Sequence, residues 1–550
     1  MAQRARAIAP VALVLVATLA PLLGLGAQAA GQAWGVVASP GAPVEVYSAR
    51  ECCGALYVAG SVEPAGGGPQ GLLLVVKGGG VEAYTLSGGS GGAFEVRGLV
   101  AVGGRLYLYG RMDGLPGIAV VGRGGVEAYA LKAVGKWRIL AGTVVYLGQA
   151  GAGGLVVVAA AKGHWGFMDR WFTIVALLSP ALNVTGAYSL EMPPPRLVAR
   201  GGGGTLYLVA TRPYRGLYIV GYTPGSASAE EVQVSLSGLD LRPSSTLLAG
   251  GSLYIAGTAV RVESYDERAM ILKLTPGLGV EYLKLFKAMS VNRLTAAAPH
   301  DGGLLVAADI EEPEHGTAYK LVLEAGPDAS IGAALALGAG PASSVEVKAL
   351  KPHSSTVEIV GLLDSTRLPA SPSPMIIEAP WPPSGTHNLE ATSGPVHLGI
   401  KLSPAPKWLL DKLRAGTTQP SYKVSHATIN ATRLDASQLT IAQVSAGLKA
   451  AKVITYKLAE AATASPTTTH TTKTTPAATT KTSGQATHTT STRTGQATAS
   501  SPATTATQAP MTNTATQKET TPAKSNTAKL AAMGLGAVVI AIIAVVLAKR

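Results

Sequence analysis

The sequence predicts an all-β fold made of seven copies of one four-stranded unit. Three observations carry the prediction. First, a glycine turn followed by a short Leu/Tyr/Val strand recurs: Gly54–Gly60 reads GALYVAG, Gly103–Gly110 GGRLYLYG and Gly250–Gly257 GGSLYIAG. The residues just before these strands and their looser copies are Gly54, Gly104, Gly154, Gly204, Gly251, Gly303 and Ser355, at intervals of 47 to 52 residues. A fixed period of that size marks copies of one supersecondary unit. Second, each copy splits into four short runs rich in Val, Leu, Ile and Tyr, bounded by Gly and Pro; in the second copy they are Ala93–Val102, Arg105–Tyr109, Gly117–Arg123 and Val126–Leu131. Third, no segment of 31–380 sustains a long 3.6-residue apolar period, which argues against a parallel α/β sheet. Seven four-stranded antiparallel units point to a seven-bladed β-propeller. Blades that pack face to face bury both faces of each sheet, which accounts for near-continuous apolar runs such as Leu72–Val76.

In chain order, residues 1–30 read as a secretory signal. Arg4 and Arg6 form the positive start, Ile8–Leu25 is apolar, and Ala27-Gln28-Ala29 fits a small-residue cleavage pattern. Residues 31–380 carry the repeats. The seventh copy stops one strand short, at Pro380-Trp381-Pro382-Pro383, and Gly35–Ser39 is the candidate for its fourth strand, hiding an open edge. Residues 386–460 read as a small β-rich domain, with an eighth, divergent blade as the alternative. Within them Pro404–Arg414 looks like one short helix, with Pro406 in its first turn and Gly416 near its end. Residues 463–527 contain 26 Thr and no aromatic residue, so they bury no core and read as a disordered stalk resembling O-glycosylated stalks. Leu530–Ala548 is uncharged, long enough to cross a bilayer as a transmembrane helix, and followed by Lys549 and Arg550, which places the N-terminal bulk outside a cell membrane.

The net charge of +13 is not a nucleic-acid signal. Residues 31–380 hold 26 Lys and Arg against 27 Asp and Glu, and the excess lies further along and at the ends. Nucleic acid is therefore not an expected partner. The expected contacts are a protein or glycan at the cell surface and the membrane itself.

The repeat resembles the glycine-rich propeller repeats of bacterial and archaeal surface proteins, in which a strand beginning Gly-x-Leu/Val-Tyr-Val is the second of its blade. The likeness covers about 340 residues and implies a fold, while leaving the chemistry open, because propellers host many functions.

Loops after second strands and those between copies share one edge of a four-stranded meander, so ligands are expected there. His164-Trp165-Gly166-Phe167-Met168-Asp169-Arg170-Trp171 concentrates aromatic residues in a chain with 5% of them. Trp165, Asp169, Arg170 and Trp171, with Tyr214, Arg215, Tyr265 and Arg268 from the next two copies, form the candidate ligand-binding set. Packing of the Trp rings between blades is the competing reading. Asp309, Glu311, Glu312, Glu314 and His315 make an acidic cluster without the spacing or turn glycine of a calcium loop, so no metal is assigned. Adjacent Cys52 and Cys53 bridge only through a strained ring, and a buried pair is expected. Asn183 and Asn430 head N-glycosylation sequons. No Cys-x-x-Cys, His-Glu-x-x-His, Gly-x-Ser-x-Gly or phosphate-loop motif occurs, and no cofactor is expected. The sequence therefore points to a membrane-anchored extracellular binding module, with an ectoenzyme acting on glycans as the alternative.

Overall fold

A computed structural model describes residues 32–460 apart from 79, 89–91, 123–124, 134–137, 152, 166–167, 214, 262, 265 and 314–315, with only the backbone of Trp165, Met168 and Ala436. The expected signal, stalk and transmembrane helix lie outside these residues. No helix among the described residues is long and apolar enough to cross a membrane.

The described chain is all-β with one α-helix. After β1 (Trp34–Ser39), seven antiparallel meanders follow in order. The first comprises β2 (Val44–Cys52), β3 (Ala55–Val62), β4 (Gln70–Lys77) and β5 (Gly80–Ser87). The second comprises β6 (Phe94–Val102), β7 (Arg105–Met112), β8 (Leu115–Gly122) and β9 (Gly125–Ala133). The third comprises β10 (Arg138–Ala150), β11 (Gly154–Trp165), β12 (Met168–Leu178) and β13 (Val184–Leu190). The fourth comprises β14 (Leu197–Arg200), β15 (Leu206–Arg212), β16 (Gly216–Tyr222) and β17 (Ser228–Ser235). The fifth comprises β18 (Leu239–Ala249), β19 (Ser252–Arg261), β20 (Glu267–Leu274) and β21 (Val280–Phe286). The sixth comprises β22 (Val291–His300), β23 (Gly303–Glu312), β24 (Thr317–Ala325) and β25 (Ile331–Ala339). The seventh has three strands of its own, β26 (Ser343–Pro352), β27 (Thr356–Ser365) and β28 (Ser373–Pro380), and takes β1 as its fourth through pairs such as Val36↔Ile376.

Two local rules explain the glycine repeat. In four meanders the first hairpin closes with a two-residue turn in which both residues have positive φ, as at Gly103 (57°) and Gly104 (74°); such turns match the right-handed twist of the strands and favour glycine. Further along, the first strand of six meanders carries a bulge, for example between Val96 and Gly98. The residue facing the start of the bulge is Gly60, Gly110, Gly257 or Gly361 in four of them. A Cβ at any of these four would run into the carbonyl oxygen of Glu45, Glu95, Arg242 or Glu346.

Seven hydrophobic clusters hold the meanders together, and each spans two consecutive meanders. One of them joins the last to the first, with Val360, Leu362 and Ile376 packed on Val58, Leu72 and Leu74. First strands touch in the same cyclic order, from β2 to β6 and onward to β26, which touches β2 again. Both faces of each sheet are thus covered, and the near-continuous apolar strands follow.

The small domain expected over 386–460 is instead a belt around the meanders. Its elements are β29 (His387–Ser393), β30 (Val396–Pro404), α1 (Lys407–Ala415), β31 (Lys423–Leu434), β32 (Leu439–Val444), β33 (Gly447–Ala451) and β34 (Ile454–Glu460). Strand β30 pairs with β25 of the sixth meander. Thr418 then bridges Leu285 of the fifth. One half of β31 pairs with β17 of the fourth and the other half with β13 of the third. Strands β32 and β33 extend the second and first meanders, and β34 lies between β1 and β29 at the seventh. The helix begins just after Pro406 and carries Lys412 and Arg414 in its last turn, where cations suit the helix dipole. Its apolar side buries Leu409 and Leu413 in the cluster between the fifth and sixth meanders.

Candidate functional site

A cleft of about 760 Å³ lies at the seam where the seventh meander meets the first. It opens at the hairpin-turn ends near Gly54 and His353, the edge opposite the loops that the sequence favoured. Its wall is a row of side chains set by register. Lys351 pairs with Glu358, Glu358 with Glu378, and Glu378 with Trp34, on four neighbouring strands β26, β27, β28 and β1. Direct cross-strand partners point to the same sheet face, so the row presents a cation, two carboxyl groups and an indole to one space.

Each member is held by a specific contact. Trp34 Nε1–H donates to Glu378 Oε2 at 2.7 Å, and Thr356 Oγ1–H donates to Glu378 Oε1 at 2.9 Å. Lys351 reaches across the seam to an ion pair with Glu51, and that partner holds the Glu51 carboxyl below its ordinary range. Glu358 is different. Its Oε1 is buried with no hydrogen-bond partner. Burial pushes its pKa up to about 7, the Lys351 charge opposes that, and Glu378 and Glu51 add to it. A desolvated carboxyl beside a second carboxylate keeps its proton to near neutral pH. Such a group donates a hydrogen bond where an ordinary glutamate only accepts. Lys77, His353, Lys457 and Glu460 line the rest of the cleft.

The residues singled out from the sequence fall elsewhere. Asp169 Oδ1 lies 2.6 Å from His164 Nδ1, and this contact holds its carboxyl below the ordinary range. The Arg170 guanidinium sits 4.9 Å from the centre of the Phe172 ring. Trp171 is 50% exposed, so it is not filler between meanders. Arg215 is exposed and its carbonyl accepts from Gln233 Nε2 at 2.6 Å. Arg268 binds Asp266 through Nε and Nη2 at 3.1 and 3.0 Å. These contacts each lie within one meander. Tyr214, Tyr265 and the Trp165 side chain lie outside the described residues. Trp171→Ala is expected to change the unfolding free energy by roughly 1 kcal/mol or less, against about 3–5 kcal/mol for a buried Trp; chemical denaturation measures the difference.

The acidic cluster is largely neutralised in place. Lys320 Nζ lies 3.0 Å from Asp309 and 2.8 Å from Glu311, and Glu312 accepts from Ser290 Oγ at 2.6 Å. Glu314 and His315 lie outside the described residues. Among the described residues no group of three or more His, Cys, Asp or Glu is placed to hold a metal ion. Cys52 and Cys53 are not the buried pair expected: they stand at the tip of the β2–β3 hairpin, Cys52 half-buried and Cys53 exposed, because a two-residue turn has no core to enter. Asn183 is exposed in the turn after β12, and Asn430 is exposed on β31.

The seam row escaped the sequence reading because Trp34 and Glu378 are 344 residues apart. A signal for it did exist: Glu378 is the one charged residue of the apolar strand SPMIIEAP, and Glu358 stands beside Ile359 and Val360 in TVEIVGLLDS. A charge in such a strand needs a reason to be there. No protein-family model matches the chain, and no curated protein matches it.

Proposed function

We propose that this chain is an exported, membrane-anchored seven-bladed β-propeller that binds a hydroxyl-rich ligand, a glycan of the cell surface, in the seam cleft. The observation that carries the reading is the row Lys351–Glu358–Glu378–Trp34 on one wall of the cleft. It offers both donors and acceptors and its charges nearly balance, which suits a neutral polyol better than an ion, and an aromatic side chain beside polar anchors suits a sugar ring. The cyclic order of meanders and the strand lent by β1 support the propeller. The apolar stretches 8–25 and 530–548, with the Thr-rich tract between belt and anchor, support display outside the membrane.

The test is titration of the purified full-length protein with a panel of neutral and acidic oligosaccharides. Saturable binding to a neutral member is expected, weakened roughly tenfold or more in Glu378→Gln, which alters the partner of Trp34 and Thr356, and unchanged in Trp171→Ala. Binding that survives Glu378→Gln and is lost in Trp171→Ala moves the site to the β11–β12 hairpin. A second reading, an ectoenzyme acting on the same glycan, draws on Glu358, whose raised pKa beside Glu378 suits general acid catalysis. Turnover of the bound oligosaccharide that disappears in Glu358→Gln supports it.

A further inference from the structure

We propose that Cys52 and Cys53 are an oxidation site that closes into a disulfide between adjacent residues, reversibly reshaping one rim of the seam cleft. They are the two cysteines of the chain, so no other thiol of the same molecule competes for either. Their sulfur atoms lie 2.9 Å apart; forming a bond of ordinary length needs an approach of about 0.9 Å. The backbone gives a second, independent indication. Cys53 has φ 54° and Gly54 φ 75°, the left-handed pair that closes this hairpin. The equivalent turns use Gly103-Gly104, Gly250-Gly251 and Asp301-Gly302, also at positive φ, and glycine and aspartate enter that region more readily than cysteine. A side chain at the first position costs about 1–2 kcal/mol relative to glycine. Cysteine therefore stands where backbone preference asks for glycine or a short polar residue, and unusual backbone of this kind gathers at functional positions.

The reaction balances with a small-molecule disulfide as oxidant. The exposed Cys53 thiolate attacks one sulfur of that disulfide, forms a mixed disulfide and expels the first thiolate. Cys52 then loses its proton to solvent and attacks Cys53 Sγ, expelling the second thiolate. Two electrons pass to the oxidant, which leaves as two thiols. The hydrogen bond shared with Cys53 holds the Cys52 thiol above its ordinary pKa, with burial adding to this, consistent with Cys53 acting first. The consequence for the cleft is geometric. Glu51 precedes the pair and is bound to Lys351 of the seventh meander, and Glu51, Gly54 and Ala55 line the cleft. Closing the eight-membered ring draws the two sulfur atoms together within this turn, and the rim beside it moves with them.

The thiol chemistry stands apart from any ligand, and the test keeps it so. Purified full-length protein is equilibrated in graded ratios of oxidised to reduced glutathione, quenched in acid, unfolded, alkylated with iodoacetamide and weighed by mass spectrometry. As the ratio rises, the peptide carrying both residues is expected to lose the mass of two hydrogens, to take up no alkyl group, and to come from a chain that runs as a monomer without reductant. Cys53→Ser, with its melting transition unchanged, is expected to carry a persistent glutathione adduct on Cys52. Two alkylated thiols at every ratio, a stable glutathione adduct on the unaltered protein, or a disulfide-linked dimer would overturn the proposal.

Discussion

Removing residues 387–460 is expected to abolish the cooperative unfolding transition of the seven meanders, although every meander keeps its own strands. Without the belt, β5, β9, β13, β17 and β25 lose the strand beside them, and β1 loses β34. Six sheet edges become rows of unpaired donors and acceptors, which recruit other chains. Apolar contacts go as well: Leu389, Leu398, Ile400, Leu402, Leu409, Leu413, Leu434, Leu439 and Leu458 are all buried and belong to clusters shared with the meanders. Full burial of one such side chain contributes about 1.5–3 kcal/mol. The truncated chain is expected to aggregate on expression, read by size-exclusion chromatography. Point variants give the graded version. Leu409→Ala and Leu439→Ala, in separate clusters, are expected to cost about 2–5 kcal/mol each and to add when combined. Values near zero would show that the belt lies on the meanders without supporting them.

Glu358→Gln is expected to stabilise the protein at pH 8 and to leave it nearly unchanged at pH 4. The sign follows from linkage. In the unfolded chain this carboxyl titrates near the ordinary 4.5, and in the fold near 7. Between those values the unfolded chain has released its proton while the fold retains it, so stability falls as pH rises through that window. Below pH 4.5 both states are protonated and the penalty is absent; above pH 7 it is complete. A full separation of that size with no solvent access would exceed 3 kcal/mol, and for a half-buried group screened by water on the order of 2 kcal/mol is expected. Glutamine has the same shape and no proton to lose, so the variant escapes the penalty. Denaturant midpoints of both proteins at pH 4, 6 and 8 check this, and a constant difference across the three would refute the assignment of the raised pKa to Glu358.

The sequence announced the meanders because their two geometric demands are written in single residues. A turn with two positive φ values asks for Gly103-Gly104, and a bulge asks for a glycine opposite it, as at Gly257; each recurs in four of the seven copies and so sets a visible period. The strand lent by β1 was legible for a related reason. Pro380-Trp381-Pro382-Pro383 ends the last copy early, and Gly35–Ser39 stands unclaimed before the first. The belt had no such mark. Strand β31 is exposed along most of its length, so its Val424, Ser425 and His426 show no burial period. Its partners, such as Glu230 for Thr428, are some two hundred residues away. Pairing at that distance leaves no trace in local composition. The same separation hid the cleft: a register row is a property of four strands at once, and each strand alone contributes a single member of it.

The route of the belt also decides how the molecule answers force. Any tension arriving through Glu460 enters along β34, which is bonded on one side to β1 and on the other to β29. A pull along that strand loads both ladders in shear, so their hydrogen bonds resist together instead of opening one by one like a zipper. The strand β1 is in turn the outer strand of the seventh meander. The load therefore passes to the joint where the cycle of meanders is closed. The seam that holds the cleft is thus also the place where a tether would be felt first.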